Sequence, residues 1–198
     1  MAHSESLLAL IAYSFVMTIT PGPNNVLLLS SGLRFGLRRT WLHVAGIIFG
    51  TLLMIGLVGA GLGELFSQMP PMQIALKLIG SAYMLWLARR LWLTSELQGK
   101  EVIMPIGFVE AAFFQPANPK VWLMAITVNA AFVPAGDQYA ERVVFAALVF
   151  GLTAIPCITL WAAGGAGLRT WIQSPITLRR INRALATISV ATLFLFWK

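Results

Sequence analysis

The sequence predicts an all-α, polytopic membrane protein with six transmembrane helices. Of the 198 residues, 58% are apolar and only 11% are charged, and the mean hydropathy is +0.80. A soluble domain carries about 25% charged residues, so a single soluble globular domain is excluded. A helical span needs roughly 20 apolar residues. The length therefore accommodates six spans with short loops and leaves no room for a separate soluble catalytic domain.

Six apolar runs define the predicted spans, and we treat residues 1–198 as one transmembrane domain. The runs are Leu7–Leu33, Trp41–Gly63, Met72–Leu93, Gly107–Val133, Ala140–Gly165 and Ile181–Trp197. Residues 1–6 contain no Lys or Arg, and no small-residue cleavage site follows. We therefore expect the first run to remain as a span rather than to be removed as a signal peptide.

The net charge of +7 reflects membrane topology and not a nucleic-acid partner, because the basic residues form short clusters between the apolar runs. Loops one, three and five carry ten of them: Arg34, Arg38, Arg39, Arg89, Arg90, Lys100, Arg169, Arg179, Arg180 and Arg183. The opposite side carries at most Lys77, Arg142 and Lys198. Since cytoplasmic loops are enriched in Lys and Arg, we expect these three loops in the cytoplasm and both termini outside.

Two spans are interrupted by proline-rich sequences. The first contains TPGPNN at Thr20–Asn25, and the fourth contains QPANPK at Gln115–Lys120. Each proline lacks an N–H and disrupts the hydrogen bond to the carbonyl four residues earlier. The carbonyls concerned are those of Met17, Ile19, Ala112 and Gln115. Backbone freed within a membrane must be buried in protein or line a wet cavity.

The two breaks are predicted to lie at the same depth. Pro23 and Asn118 are each about ten residues, or about 15 Å, from the cytoplasmic ends of their spans, which is half of a roughly 30 Å hydrocarbon core. Three spans precede the fourth, so the two halves, at approximately 7–93 and 107–197, run in opposite directions. This arrangement favours two inverted three-helix repeats with broken first and fourth helices, typical of secondary transporters.

The residues in the breaks favour a zwitterionic ligand. Asn24 or Asn25 is expected to cap one half-helix, and Asn118 another, with Pro119 at its first position. Both positive helix ends would face a shared cavity that suits a carboxylate, and Lys120 adds a full positive charge. Freed carbonyls and asparagine side chains suit an ammonium group. The alternative is that the two helices are merely kinked and pack without a cavity.

The candidate substrate-binding residues are Pro21, Gly22, Pro23, Asn24, Asn25, Gln115, Asn118, Pro119 and Lys120. Glu110 and Lys120 are candidates for proton coupling. For Lys120 the alternative is a structural ion pair, and for Glu110 it is a side chain that reaches out to the membrane surface. Gly46 and Gly50 form a small-xxx-small pair, which favours close helix packing either within the chain or between subunits.

These motifs also carry a family resemblance. Thr20–Asn25 with the following Val26–Thr40, together with Gly80–Leu87 and Asn118–Lys120, resembles the lysine exporter/homoserine–threonine exporter (LysE/RhtB) superfamily. The resemblance implies a bacterial inner-membrane exporter of amino acids or close derivatives, driven by the proton-motive force and dimeric. It maps the family's motif residues onto positions 21–25 and 118–120. Pro116 departs from the family pattern, because a non-proline apolar residue is expected there.

The sequence as a whole predicts a secondary active exporter that needs no cofactor or metal and works by alternating access. A membrane-embedded enzyme or a channel acting on a small polar solute is the alternative. An enzyme would need a buried catalytic set such as two Asp, Ser with His, or a zinc-binding HExxH sequence, and the spans contain none. A channel would need charged rings or a repeated carbonyl filter, and neither is evident in the sequence.

Overall fold

The computed structural model describes residues 2–93, 105–171 and 174–196, and within these ranges every regular element is a helix. In chain order the elements are α1 (Ala2–Ile19), α2 (Pro23–Phe35), α3 (Leu37–Leu57), a π-helical segment (Val58–Leu62), α4 (Gly63–Gln68), α5 (Pro70–Leu93), α6 (Phe108–Phe114), a 3₁₀ turn (Gln115–Ala117), α7 (Pro119–Phe132), α8 (Tyr139–Trp171) and α9 (Pro175–Phe196). The predicted all-α class is confirmed.

The long helices follow the predicted spans. By length and composition, Leu37–Leu65 and Tyr139–Trp171 can each cross a membrane, and α1 with α2 passes the same test as one span bent by 57°. These elements fit the predicted polytopic membrane protein. The count of six spans and the two inverted repeats stay predictions. Lys100, Trp197 and Lys198 lie outside the described residues.

Helix α2 lies in direct backbone contact with α8. A Cβ atom at Gly165 would lie 2.8 Å from the Leu33 amide nitrogen, and one at Gly32 would lie 2.9 Å from the carbonyl carbon of Ala162. Only glycine permits such an approach, which is how helices gain van der Waals contact in a membrane. Helix α8 continues through this region without interruption to Trp171.

Helix α3 packs equally closely against α6 and the 3₁₀ turn. A Cβ at Gly46 would lie 2.7 Å from the Cβ of Ala111, and one at Gly50 would lie 2.5 Å from Cγ of Gln115. Gly46 and Gly50 therefore serve packing within the chain. The same contact presses the second helix break against the middle of α3.

The two broken helices run in opposite directions. Gly36, at φ 78°, is the single residue between α2 and α3, and the hairpin that it forms brings His43 Nδ1 to 3.3 Å from Ser31 Oγ. Helix α3 then runs alongside α6 and α7 in the same direction, since Gly46 lies against α6 and the Ile55 carbonyl accepts a 3.0 Å bond from Asn129 in α7. Helix α2 is consequently antiparallel to α6 and α7.

Arginine-bearing segments of the predicted cytoplasmic loops meet at one end of the bundle. Nη1 of Arg169, in the last turn of α8, lies 3.4 Å from where a Cβ would stand at Gly36. The Arg183 guanidinium carbon lies 5.1 Å from the centre of a Trp92 ring at the end of α5. These contacts bring loops one and five together, and loops three and five together, as the charge distribution predicts.

Candidate functional site at the two helix breaks

The first break is closed by the side chain of Asn25. Its Nδ2 donates to the carbonyl oxygens of Thr18 and Thr20, each at 2.8 Å. Thr18 is in the last turn of α1, whose carbonyls have no partner within the helix, and Thr20 directly follows that helix. The expectation that Asn24 or Asn25 caps the N-terminus of α2 is wrong, because no side chain caps that helix. Asn25 instead donates hydrogen bonds to backbone carbonyls at the C-terminal end of α1, before the break.

Helix α2 therefore begins without a side-chain cap. Its N-cap residue is Gly22, with extended backbone, and Pro23 occupies the first helical position. The first-turn N–H groups of Asn24 and Asn25 have no acceptor within the helix, because helical hydrogen bonds begin only after the first turn. The helix presents the positive end of its dipole at the break.

The second break is a 3₁₀ turn, and Pro116 is its cause. Pro116 has no N–H, so the Ala112 carbonyl instead accepts from the Gln115 backbone N–H. The Gln115 carbonyl accepts from the Asn118 N–H at 3.0 Å. The carbonyls of Ala112 and Gln115, which we expected to be free, are bonded within the turn.

Helix α7 has the predicted cap. Asn118 is its N-cap, Pro119 occupies the first position, and Asn118 Oδ1 accepts from the Lys120 N–H at 3.1 Å. The Val121 N–H bonds to the Asn118 carbonyl at 3.0 Å. The expectation that unpaired N–H groups of both half-helices face a cavity is therefore wrong for α7, since its first-turn donors are bonded.

The side chain of Lys120 crosses from the second break to the first. Its Nζ lies 2.9 Å from both the carbonyl oxygen and the hydroxyl oxygen of Thr20. Gly22 makes room for this side chain, because a Cβ there would lie 3.1 Å from Lys120 Cδ and 3.3 Å from Nζ. In the described part of the chain, the ammonium bonds to these two neutral oxygens and not to a carboxylate, so the alternative of a structural ion pair does not hold there.

A second contact joins the breaks through two amides. Asn24 Nδ2 donates to Gln115 Oε1 at 2.9 Å, and Gln115 Nε2 donates to the Ala111 carbonyl at 2.6 Å. Gln115 is fully buried. Asn24 Oδ1 is buried as well and has no hydrogen-bond partner in the described structure.

The breaks enclose a narrow cavity with room for about two water molecules. The predicted site residues on its wall are Gly22, Pro23, Asn24, Asn25, Asn118 and Lys120. Thr18 and Thr51 add hydroxyl groups, and apolar side chains such as Ile47, Met124 and Phe150 complete the lining. The alternative of two kinked helices packed without a cavity is wrong. In this conformation the cavity is smaller than an amino acid.

A larger cleft of about 400 Å³ lies on the other side of Lys120. Pro21 and Pro119 line it, together with Thr20 and, from α5, Met84. Gly22, Pro23 and Lys120 border both spaces. The bond between Lys120 and Thr20 accordingly stands between the cavity and the cleft.

Glu110 lies apart from the breaks. It is exposed in the first turn of α6, and its Oε1 accepts a 3.2 Å hydrogen bond from the Tyr83 hydroxyl. It lines neither the cavity nor the cleft. Glu110 therefore lies outside the group of candidate residues that meets at the two helix breaks.

Sequence reasoning missed two contributors to the site. Thr20 was noted only as the start of a motif, although it supplies both acceptors for Lys120. Trp161 of α8 donates from Nε1 to the Ile19 carbonyl at 3.1 Å, which satisfies another carbonyl of the first break. The position of Thr20 directly before Pro-Gly-Pro could have indicated its contact with Lys120. No local sequence feature indicates the contact of Trp161.

Comparisons with known proteins identify the family of the chain. The family model described as LysE type translocator matches residues 15–196. The chain belongs to the LysE family. It is 36% identical over 128 residues to a cysteine/O-acetylserine efflux protein of Klebsiella pneumoniae, covering 63% of this chain and 64% of the relative.

Two further relatives match a longer part of this LysE-family chain. A cysteine/O-acetylserine efflux protein of Salmonella paratyphi A is 31% identical over 154 residues, covering 77% of this chain and 78% of the relative. An uncharacterized membrane protein of Vibrio cholerae is 27% identical over 191 residues, or 91% of each chain. No solved structure matches the chain significantly. This LysE-family protein is a membrane transporter for amino-acid efflux and not an enzyme.

Proposed function

We propose that this transporter binds a small, neutral, zwitterionic amino acid in the cavity between the two helix breaks and exports it in exchange for protons. The observation that carries the proposal is the convergence, on one cavity, of the uncapped N-terminus of α2, the Lys120 ammonium and the unpartnered Asn24 carbonyl oxygen. The first two favour a carboxylate, and the third favours an ammonium group.

The lining supports a neutral side chain. Among the described residues no Asp or Glu lines the cavity, so a second ammonium or guanidinium group on the substrate would be buried without a countercharge, which is strongly unfavourable. Apolar residues such as Ile47, Met124 and Ala154 form the remaining wall. The relatives named as cysteine/O-acetylserine efflux proteins point to the same class, and we propose L-cysteine and O-acetylserine as the first substrates to test.

We propose Lys120 as the proton-coupling group in preference to Glu110. Lys120 borders the cavity and the cleft and bonds across the breaks. A substrate carboxylate in the cavity competes with the Thr20 oxygens for the Lys120 ammonium, so substrate binding and the proton carried by Lys120 are linked at one side chain. The exposed position of Glu110 offers no such connection.

The remaining expectations concern the setting of the transporter. We propose that it resides in a bacterial inner membrane with its arginine-rich end in the cytoplasm, that its two halves form inverted repeats, and that it assembles as a homodimer. Accessibility of cysteines introduced at Arg38 and Asp137 to a membrane-impermeant reagent tests the orientation. Chemical cross-linking in membranes tests the dimer.

The direct experiment is efflux from proteoliposomes loaded with single amino acids, with and without an imposed pH gradient. We expect saturable efflux of L-cysteine and O-acetylserine that accelerates when the outside is acidic, and little efflux of L-lysine or L-glutamate. Equal, non-saturable flux of all solutes would instead indicate a channel. Flux of small neutral amino acids that ignores the pH gradient would remove proton coupling but retain the substrate class.

A further inference from the structure

The orientation of the Asn24 side chain is determined by groups on the other half of the chain. Because a backbone carbonyl only accepts hydrogen bonds, the Ala111 oxygen at 2.6 Å must face the NH₂ group of Gln115. The Gln115 Oε1 then faces Asn24, and only the Asn24 NH₂ group can donate to it at 2.9 Å. The Asn24 carbonyl oxygen is thereby turned away from Gln115.

The Ala111 carbonyl is available for this role because of Pro116. In a continuous helix it would accept from the backbone N–H of Gln115, four residues later. The 3₁₀ turn at Pro116 diverts that N–H to Ala112, and the side chain of Gln115 takes its place at Ala111. The proline in the second break thus determines which end of the Gln115 amide meets Asn24.

The result is a fixed, unpaired acceptor beside the cavity, covered in this conformation. Asn24 lines the cavity, and its Oδ1 is buried without a hydrogen-bond partner among the described residues. Leaving a buried acceptor unpaired is unfavourable, and such an atom in a ligand cavity is matched by a donor on the ligand. The neighbouring Lys120 and the positive end of α2 attract the carboxylate of a zwitterion, which leaves its ammonium group as that donor.

We infer that Gln115 is a positioning residue: it holds the Asn24 amide so that Asn24 Oδ1 accepts the α-ammonium group of the substrate. Gln115 itself does not contact the substrate. The inference rests on the proposed function, since it assumes an amino acid in this cavity. The ammonium group is then recognised by a neutral acceptor. The orientation of that acceptor depends on a contact between the two halves of the chain.

The test compares an amino acid with its analogue that lacks the amino group. In proteoliposomes, L-cysteine transport is measured together with its inhibition by 3-mercaptopropionate. For Gln115→Met, which keeps the side-chain length but cannot bond, we expect the KM for L-cysteine to rise about tenfold, the size of one hydrogen bond to a charged group. The inhibition constant of 3-mercaptopropionate should stay within about twofold, because that analogue has no ammonium group.

A double variant tests orientation separately. In Asn24→Asp with Gln115→Met, either carboxylate oxygen can face the cavity, so we expect the KM for L-cysteine to return towards the wild-type value. Gln138→Met, at an exposed position, is the matched control and should leave both constants unchanged. If Gln115→Met does not yield monodisperse protein, Asn24→Leu should show the same selective loss of L-cysteine affinity.

Three outcomes separate the possibilities. An unchanged KM in Gln115→Met, or an equal change for L-cysteine and 3-mercaptopropionate, overturns the positioning role. Failure of Asn24→Asp to restore any affinity counts against it as well. If the wild-type protein transports no amino acid at all, the proposed function fails, which is distinct from a wild-type transporter that is insensitive to these substitutions.

Discussion

The ammonium group of Lys120 lies 2.9 Å from the carbonyl oxygen of Thr20, a residue one hundred positions earlier in the chain. The same carbonyl accepts from Asn25 Nδ2 at 2.8 Å. One oxygen at the end of α1 therefore receives a donor from each half of the transporter. This contact lies between the cavity and the cleft.

Lys120→Met should abolish amino-acid efflux while leaving membrane insertion intact. Methionine fills most of the space beside Gly22 but removes the charge and both bonds to Thr20. Lys77→Met on α5, away from the cavity, is the control and should transport normally. The measurement is initial efflux rate per mole of protein in proteoliposomes; wild-type rates in Lys120→Met would remove this residue from the transport mechanism.

Asn25→Asp should be more damaging than Asn25→Ala. Aspartate is as good a helix N-cap as asparagine, so a capping role predicts that Asn25→Asp is tolerated. In the structure Asn25 donates to two carbonyls, and a carboxylate there has no proton to donate and repels both oxygens. We expect Asn25→Ala to yield reduced but folded protein, and Asn25→Asp to yield little. The yield of monodisperse protein in detergent decides between the two roles.

Asn118→Ala should lower the free energy of unfolding by about 1 kcal/mol, the usual contribution of an N-cap side chain. The Lys120 backbone N–H loses its acceptor, and the start of α7 becomes less well defined. Asn118→Ser, which retains a cap oxygen, is the matched variant and should be close to wild type. Thermal unfolding in detergent measures the difference, and equal midpoints for Ala and Ser would contradict the capping assignment.

Gly165→Ala should prevent stable folding, whereas Gly167→Ala in the same helix should not. A methyl group at Gly165 would stand 2.8 Å from the Leu33 amide nitrogen, but nothing lies within 4 Å of the corresponding position at Gly167. Alanine is also the better helix former by about 1 kcal/mol, so Gly167→Ala should be neutral or stabilising. Similar yields of folded protein from both variants would show that α2 and α8 separate more easily than the structure indicates.

Gly50→Ala should lower the yield of folded protein and, in the protein that folds, weaken substrate binding. The added methyl group would lie 2.5 Å from Cγ of Gln115 and 2.7 Å from the Ala112 carbonyl oxygen, which displaces the Gln115 side chain from its bonds to Asn24 and Ala111. Gly56→Ala, two turns later in α3 with nothing within 4 Å, is the control. The KM for the exported amino acid is the readout, and unchanged values for Gly50→Ala would argue that Gln115 tolerates displacement.

Local sequence patterns predicted the parts of the structure that depend on local physics. Apolar runs predicted the long helices, because a helix in lipid must satisfy its own backbone. Asn118 followed by Pro119 gave the cap of α7, because that motif acts within one turn. The positions of both helix breaks followed from the prolines, which cannot donate a backbone hydrogen bond.

The errors concern side chains whose partners lie elsewhere in the fold. Asn25 looks like an N-cap in sequence, yet it bonds backwards to the end of α1. The bonds of Gln115 to Asn24 and Ala111, which the sequence did not predict, form only where α2 and the 3₁₀ turn meet. The close contact of α2 with α8 was missed because Gly32 and Gly165 are 133 positions apart.

The backbone contact between α2 and α8 has a mechanical consequence. Helices whose main chains touch through glycine cannot slide past one another without losing that fit, so α2 and α8 are expected to travel as one rigid unit although they belong to different halves of the sequence. Motion is then expected at the break between α1 and α2, where the two helices meet at 57° and Gly22 has extended backbone. Spin labels on α2 and α8 should therefore keep a constant separation during turnover, while labels on α1 and α2 change theirs.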